Sequence, residues 1–300
     1  MKIHLNGHLP GLTALAAVLL WSPSQAQFAG PNPALEKMVG EAAAQTTARA
    51  ADGKPDLSGY WESPMMRLGG GFFAGKARTS ADGKTLQLPF PTVATVNSMD
   101  VKNAAARAAN AALRPTYKSA ENTAKAKFNF DRGDLEDPSY GCKSPGVPRV
   151  GLPSEIVQTH GAVYLLYATQ NRYRVIPTDG RQHDPAADSM PNGDSVGHWE
   201  GDSLVIDTTN LSEETWLDKD GSFHGKDMHV VERLTRKGNT LTILTTVEDP
   251  LFAKPFVMPS DNPFGAASGT LILGSKEQHV PEDYACDERS LGNMVSGEKH

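Results

Sequence analysis

From Pro153 onward the chain changes period, and this change limits its possible folds more than any other feature. Apolar and β-branched residues alternate with polar ones at a spacing of two through residues 155–159, 162–169, 172–176, 197–200, 203–208, 229–236 and 240–248, with a last candidate run at 270–273. That period sends successive side chains to opposite faces of a strand. Gly161 and Asn171 mark breaks, Gly201-Asp202 reads as a two-residue hairpin connection, and Lys237-Gly238-Asn239 as a second tight turn. Hairpins in succession predict an antiparallel meander. Strands of this length predict a mainly β fold, a lipocalin-like barrel or half-barrel. No helices alternate with the strands, which argues against a parallel α/β sheet.

The β domain is expected over residues 137–300. Residues 27–136 read as a helical and loop segment covering one opening of the barrel. Residues 34–50 are Ala-rich and follow Pro33, which suits a first helical turn. Residues 98–113 have Ser98 as an N-cap and end before Pro115; residues 119–128 offer a third helix. Between the first two lie a short strand at 57–61 and a glycine-rich loop, Gly69-Gly70-Gly71, followed by Phe72 and Phe73.

At the start of the chain Lys2 and His4 precede an apolar run at 12–21, and Ser24-Gln25-Ala26 has the small-x-small pattern of a cleavage site. Residues 1–26 therefore read as a signal peptide, with a periplasmic or secreted mature chain beginning at Gln27. The run falls well short of the roughly 20 residues needed to span a bilayer, so no membrane anchor is expected. Net charge is −6 with dispersed basic residues, which leaves no footprint for a nucleic-acid partner. In an oxidising compartment the two cysteines, Cys142 and Cys286, suggest a single disulfide; two separate buried thiols are the alternative. Neither has the CxxC neighbour of a zinc site.

Chemistry concentrates in residues 178–210, a polar loop running into the first hairpin. With Gly201-Asp202 at the tip, Trp199, Leu204 and Ile206 share one face; Val196, His198, Glu200, Val205 and Asp207 share the other. Apolar area carrying a few polar groups suits the wall of a ligand cavity, although a solvated outer face has the same pattern. In the second hairpin His229, Val231 and Arg233 share a face, opposite Val230, Glu232 and Leu234. Arg172 and Arg174 share a face of an earlier strand. A charge inside a barrel must be paired or meet a polar ligand. In the loop, His183 is the general acid–base candidate, Asp179 or Asp184 its orienter, and Arg181 or Arg233 a stabiliser of developing negative charge. Asp207 and His229 are further catalytic candidates; Arg174, His198, Glu200 and Tyr167 are candidate substrate contacts. All are expected to converge in one hollow.

His183, His198, Glu200, His224 and His229 would supply enough donors for zinc or iron, yet no HExxH or HxH spacing occurs, and no metal is expected. Asp218-Lys219-Asp220-Gly221-Ser222 is similar to the start of a calcium loop, but the twelfth position is His229 rather than Glu. There is no GxSxG nucleophile elbow and no GxGxxG, so no cofactor is expected. The reading that follows is a cofactor-independent acid–base enzyme, a lyase or isomerase, acting on a small, partly apolar molecule. The alternatives are a non-catalytic binding protein for an apolar or aromatic ligand, and a metal-dependent hydrolase. Oligomeric state is not legible.

Several segments together resemble a large family of secreted bacterial proteins with no assigned activity. They are DGKPDLSGYW at 52–61, Gly141-Cys142 with GVPR at 146–149, EIVQ at 155–158, TDGRQH at 178–183, GDSVGHWEGD at 193–202, VVER at 230–233, VEDP at 247–250 and Tyr284-Ala285-Cys286. The resemblance spans most of the mature chain and implies pairing of the two Cys-bearing motifs. It departs at His198, where the family often has Arg, and at Asp287-Glu288-Arg289, where the family has His-Glu-Gly.

Overall fold

The structure, a computed structural model, describes residues 33–67, 78–79, 86–87, 113–126, 137–139, 143–168, 172–218, 220–260 and 267–279. In chain order the elements are α1 (Pro33–Ala43), β1 (Gly59–Glu62), α2 (Pro64–Arg67), β2 (Arg78–Thr79), β3 (Leu86–Gln87), α3 (Ala120–Lys125), β4 (Glu155–Thr159), β5 (Ala162–Tyr167), β6 (Arg172–Pro177), β7 (Asp194–Glu200), β8 (Ser203–Thr209), β9 (His229–Lys237), β10 (Thr240–Glu248), β11 (Phe256–Val257) and β12 (Gly269–Leu273). The expected signal peptide, the glycine-rich loop, all but the last residue of the helix expected over 98–113, and both cysteines lie outside the described residues.

The protein is a nearly closed, antiparallel nine-stranded barrel, as the alternation predicts. Strands follow the order β6-β5-β4-β1-β12-β10-β9-β8-β7, and β11 adds to β10. Closure between β6 and β7 is made by side chains. Gly197 is the residue that permits it: a Cβ there would fall 2.9 Å from Ile176 Cγ2 and 3.0 Å from Thr178 Cγ2. The hairpin registers confirm Gly201-Asp202 as a two-residue connection, with Glu200 opposite Ser203. In the second hairpin Lys237 pairs with Thr240, so its loop is Gly238-Asn239, one residue shorter than the sequence pattern implies.

The inner faces fill the barrel instead of lining a hollow. Leu57, Trp61, Ile156, Leu165, Ile176, Leu204, Ile206, Leu234 and Leu241 form one buried cluster. A second closes the end where β8 leaves the barrel, drawn from Leu211, Leu217, Phe223 and Met228 of the long β8–β9 connection together with Tyr117, Phe252, Val230 and Val247. Tyr117 stacks on Phe223 with ring centroids 4.9 Å apart, and its hydroxyl donates to Phe223 O at 2.7 Å.

Helix α1 ends sooner than its Ala-rich composition suggests, because its last turn docks on a strand tip. Asn239 N–H donates to Ala42 O at 2.8 Å, and Gly238 N–H to Thr47 Oγ1 at 2.7 Å. The helix thus sits on the β9–β10 turn. Helix α3 starts at the N-cap Ser119, whose side chain accepts from Asn122 N–H.

Candidate functional site

The sequence candidates divide between the two faces of the barrel wall. Arg174 (β6) and Tyr167 (β5) point inward and are buried, Tyr167 as part of the first apolar cluster. Arg174 Nη2 lies 2.7 Å from Glu232 Oε2, with Tyr167 Oη 3.3 Å, Ser195 Oγ 3.1 Å and Thr208 Oγ1 3.2 Å from the guanidinium. The Arg174–Glu232 contact is a charge pair outside hydrogen-bond angles, so Glu232 Oε2, like Arg174 Nε, has no hydrogen-bond partner. Burial would pull the Arg174 pKa down, but the Glu232 carboxylate outweighs it and holds the guanidinium above its ordinary value. Burial pushes the Tyr167 hydroxyl up to about 12. This layer is sealed and self-paired, so neither residue shares a surface with the other candidates.

The remaining candidates lie outside. Asp179 and Arg181 flank the turn at Gly180 and pair with each other, Arg181 Nη2 to Asp179 Oδ2 at 2.6 Å and Nε to Oδ1 at 3.0 Å. The guanidinium's hydrogen bonds hold the Asp179 carboxyl down at about 2. Asp179 therefore orients Arg181 and not His183, a correction to the sequence reading. Arg233 Nη2 lies 2.6 Å from Glu200 Oε2, and His198 Nε2 3.1 Å from Glu200 Oε1; on the outer face of β7–β9, His198 and Glu200 are exposed and Arg233 is half-buried.

His183, Asp207 and His229 do come together, on that same outer face, where β8 ends and β9 begins. His183 Nδ1 is 2.9 Å from Asp194 Oδ2 and its Nε2 is 2.9 Å from Asp207 Oδ1. The other oxygen of Asp207 meets His229 Nε2 at 2.8 Å. His229 Nδ1 is 3.7 Å from Glu248 Oε2, beyond hydrogen-bond length. The result is a line, Asp194–His183–Asp207–His229–Glu248, in which carboxylates and imidazoles alternate. Strand pairing builds most of it: Asp194 opposes Thr209, Val196 opposes Asp207, and Glu248 opposes His229. The loop supplies His183 and is pinned by Asp184 N–H donating to Asp194 Oδ2 at 3.0 Å. Gly193, at φ +61, makes the turn that presents Asp194, and a Cβ there would strike Thr209 O at 2.3 Å.

The two imidazoles are chemically unequal. A carboxylate only accepts hydrogen bonds, and a neutral imidazole donates only one, so both contacts of His183 are satisfied only by the imidazolium. Burial works against that charge, but the bonds to Asp207 and Asp194 outweigh it and raise the His183 pKa above its ordinary value. Burial likewise works to raise Asp207; hydrogen bonds from His229 and His183 outweigh it and lower its pKa. His229, donating Nε2–H to Asp207, keeps the Nδ1 lone pair in its neutral form. That nitrogen suits a proton acceptor better than either nitrogen of His183. Between this line and the His198–Glu200–Arg233 group run Val196, Val205 and Val231 on the outer face, with Val205 buried beneath its neighbours.

Asp194 and Glu248 were missed in the sequence; counting back from the Gly201-Asp202 turn places Asp194 on the face of Asp207, whereas Glu248 falls opposite His229 only with the two-residue loop Gly238-Asn239. Among the described residues, no group of three or more His, Cys, Asp or Glu is arranged to hold a metal ion. His224 is committed to Thr215 Oγ1 at 2.9 Å and Gly225 O at 2.8 Å, and burial lowers its pKa.

Fold and site together define a filled antiparallel β-barrel bearing an alternating carboxylate–imidazole line on its outer wall. Comparisons with protein-family models, curated proteins and solved structures found no match to this chain.

Proposed function

We propose that this line is the acid–base site of a periplasmic or secreted, cofactor-independent enzyme of the lyase or isomerase class. Its substrate is a small, partly apolar molecule. His229 Nδ1 takes the proton, Asp207 orients His229 through Nε2, and the imidazolium of His183 balances the Asp207 charge and holds the loop to the barrel. The carrying observation is Asp207 bridging the two rings at 2.8 and 2.9 Å, which leaves His229 with one fixed and one available nitrogen. The half-buried valines at 196 and 231 offer apolar area beside it. Arg233 and Glu200, with His198, border that strip, whereas Arg181, bound to Asp179, serves the loop turn.

Support for export comes from the leader-like residues 1–26, which also favour a disulfide between Cys142 and Cys286. Among the described residues no helix is long and apolar enough to cross a membrane. The valine strip equally favours a binding protein for an apolar or aromatic ligand, and one experiment separates the two. Purified protein is incubated with a panel of small carbonyl, hydroxy and aromatic compounds, and products are followed by mass spectrometry for wild type, His229→Gln and Asp207→Asn. The enzyme reading expects conversion of at least one compound by wild type, reduced about 10²–10⁴-fold in His229→Gln, the usual range for losing a general base. Full turnover in His229→Gln would overturn the assignment; binding without any product would favour the binding protein.

A further inference from the structure

Negative charge outnumbers positive along the acid–base line. His183 sets one imidazolium between two carboxylates, Asp194 and Asp207, and His229 adds no charge in its neutral form. Glu248 is a third carboxylate, so the line keeps two uncompensated negative charges. No ion pair among the described residues offsets them. Arg233 is turned to Glu200, towards the far end of the β7–β8 hairpin, and Arg181 is bound to Asp179. Exposed Lys226 and Lys254 form no ion pair among the described residues. A surface with an unbalanced sign concentrates ligands of the opposite sign.

Glu248 is the member of the line most open to a ligand. Its side chain is 56% exposed, and its one ion-pair contact among the described residues is His229 Nδ1 at 3.7 Å. That gap lets an N–H donor reach Oε2 while a neighbouring atom of the same molecule lies against Nδ1. The ground beside the pair is largely apolar. Two residues along from His229 and Glu248, Val231 and Thr246 face each other across β9 and β10. Strand β11 then sets Val257 opposite Thr246, and Val257 is 50% exposed, among the most exposed large apolar side chains of the described residues. Directly paired residues share a face, so Val231, Thr246 and Val257 form a row on the outer wall about 7 Å from the His229–Glu248 row. A carboxylate bordering such a row fits a molecule with an apolar body and a positive end.

We propose that this site takes a cationic substrate, a small amine whose ammonium donates to Glu248 while its apolar part lies over Val231, Thr246 and Val257, beside His229 Nδ1. The inference rests on the acid–base reading of the same line and names the class of molecule it serves. An anion of the same size would meet the two uncompensated charges. A neutral isostere would keep the apolar contacts and lose the charge-assisted hydrogen bond.

The test titrates benzylammonium, benzyl alcohol and benzoate, which share a ring and differ in charge, into the purified full mature chain, with binding read by NMR. Wild type should bind benzylammonium about 5–10-fold more tightly than benzyl alcohol, between the worth of a screened surface pair and that of a charge-assisted hydrogen bond. Benzoate should bind most weakly, and the His229 ring and Val257 methyl signals should shift on adding the amine. Glu248→Gln should abolish the preference, whereas Glu277→Gln, which removes an exposed carboxylate beyond β12, should keep it. Equal affinities for amine and alcohol, a preference that survives Glu248→Gln, shifts confined to other residues, or no binding of the amine would each overturn the proposal. Turnover is read separately, by adding amines to the compound panel. Product from neutral or anionic compounds alone would overturn the cation class and leave the base in place. Cation preference at Glu248 without any product would leave the cation site standing and overturn the enzyme reading.

Discussion

The barrel wall carries charged clusters on both faces, and the two behave as opposites. Inside, the Arg174 and Glu232 side chains are 2% and 8% exposed. Outside, His183, Asp207 and His229 are 28%, 30% and 31% exposed. The inner pair is buried, each charge set against the other, and has no route to a ligand. The outer line keeps enough solvent contact to exchange protons and enough burial to be tuned. Charge on a strand thus indicates chemistry only when the face it occupies is known.

Breaking the inner pair should cost most. Glu232→Ala leaves a buried guanidinium uncompensated, and urea unfolding should show a loss of about 3–5 kcal/mol. The joint replacement Arg174→Met with Glu232→Leu should recover most of it; a Glu232→Ala loss below about 1 kcal/mol would remove the contrast between the faces. On the outer face, Asp207→Asn should lose no more than about 1 kcal/mol, because its contacts are screened by solvent, while abolishing most turnover of any identified substrate. Equal stability losses at Asp207 and Glu232 would contradict the division.

The pH dependence sharpens the comparison further. The folded state raises the His183 pKa, so its contribution is fully present below the unfolded value of about 6.5 and is lost as pH rises through the folded value. Asp207 is lowered, so its contribution is present above the ordinary carboxylate range and lost as pH falls through its folded value. The stability difference between wild type and His183→Gln should therefore be largest in the mildly acidic window between those limits and shrink with alkalinity. A difference that grows with pH would reverse the assignment. Smallest of all, Arg181→Ala should leave stability unchanged in the same assay, since it and Asp179 are bound only to each other at the surface.

Much of the barrel was legible because period-two runs and tight turns specify antiparallel pairing locally. The facing pairs of β7 and β8 follow from placing Gly201-Asp202 at the tip, and they bring Asp207 and His198 to one face correctly. Which face is concave was not legible. Val196, Val205 and Val231 interrupt the outer charges much as Leu204, Ile206 and Leu234 interrupt Thr208 and Glu232 inside, so composition reads alike on both. The hollow expected from that pattern is instead filled by Trp61, Leu165 and their neighbours. His183 joins the site through a loop whose path no period encodes. Asp179 was drawn away by Arg181, two residues on, which competes for it at closer range.

The central claim, that Asp207 joins two unequal imidazoles on the outer wall, is tested most directly by NMR titration of the His183 and His229 ring protons in wild type and Asp207→Asn. The account predicts that His183 titrates above the ordinary histidine range and falls towards it in Asp207→Asn. A His183 titrating at or below its ordinary value, and unmoved by Asp207→Asn, would contradict it.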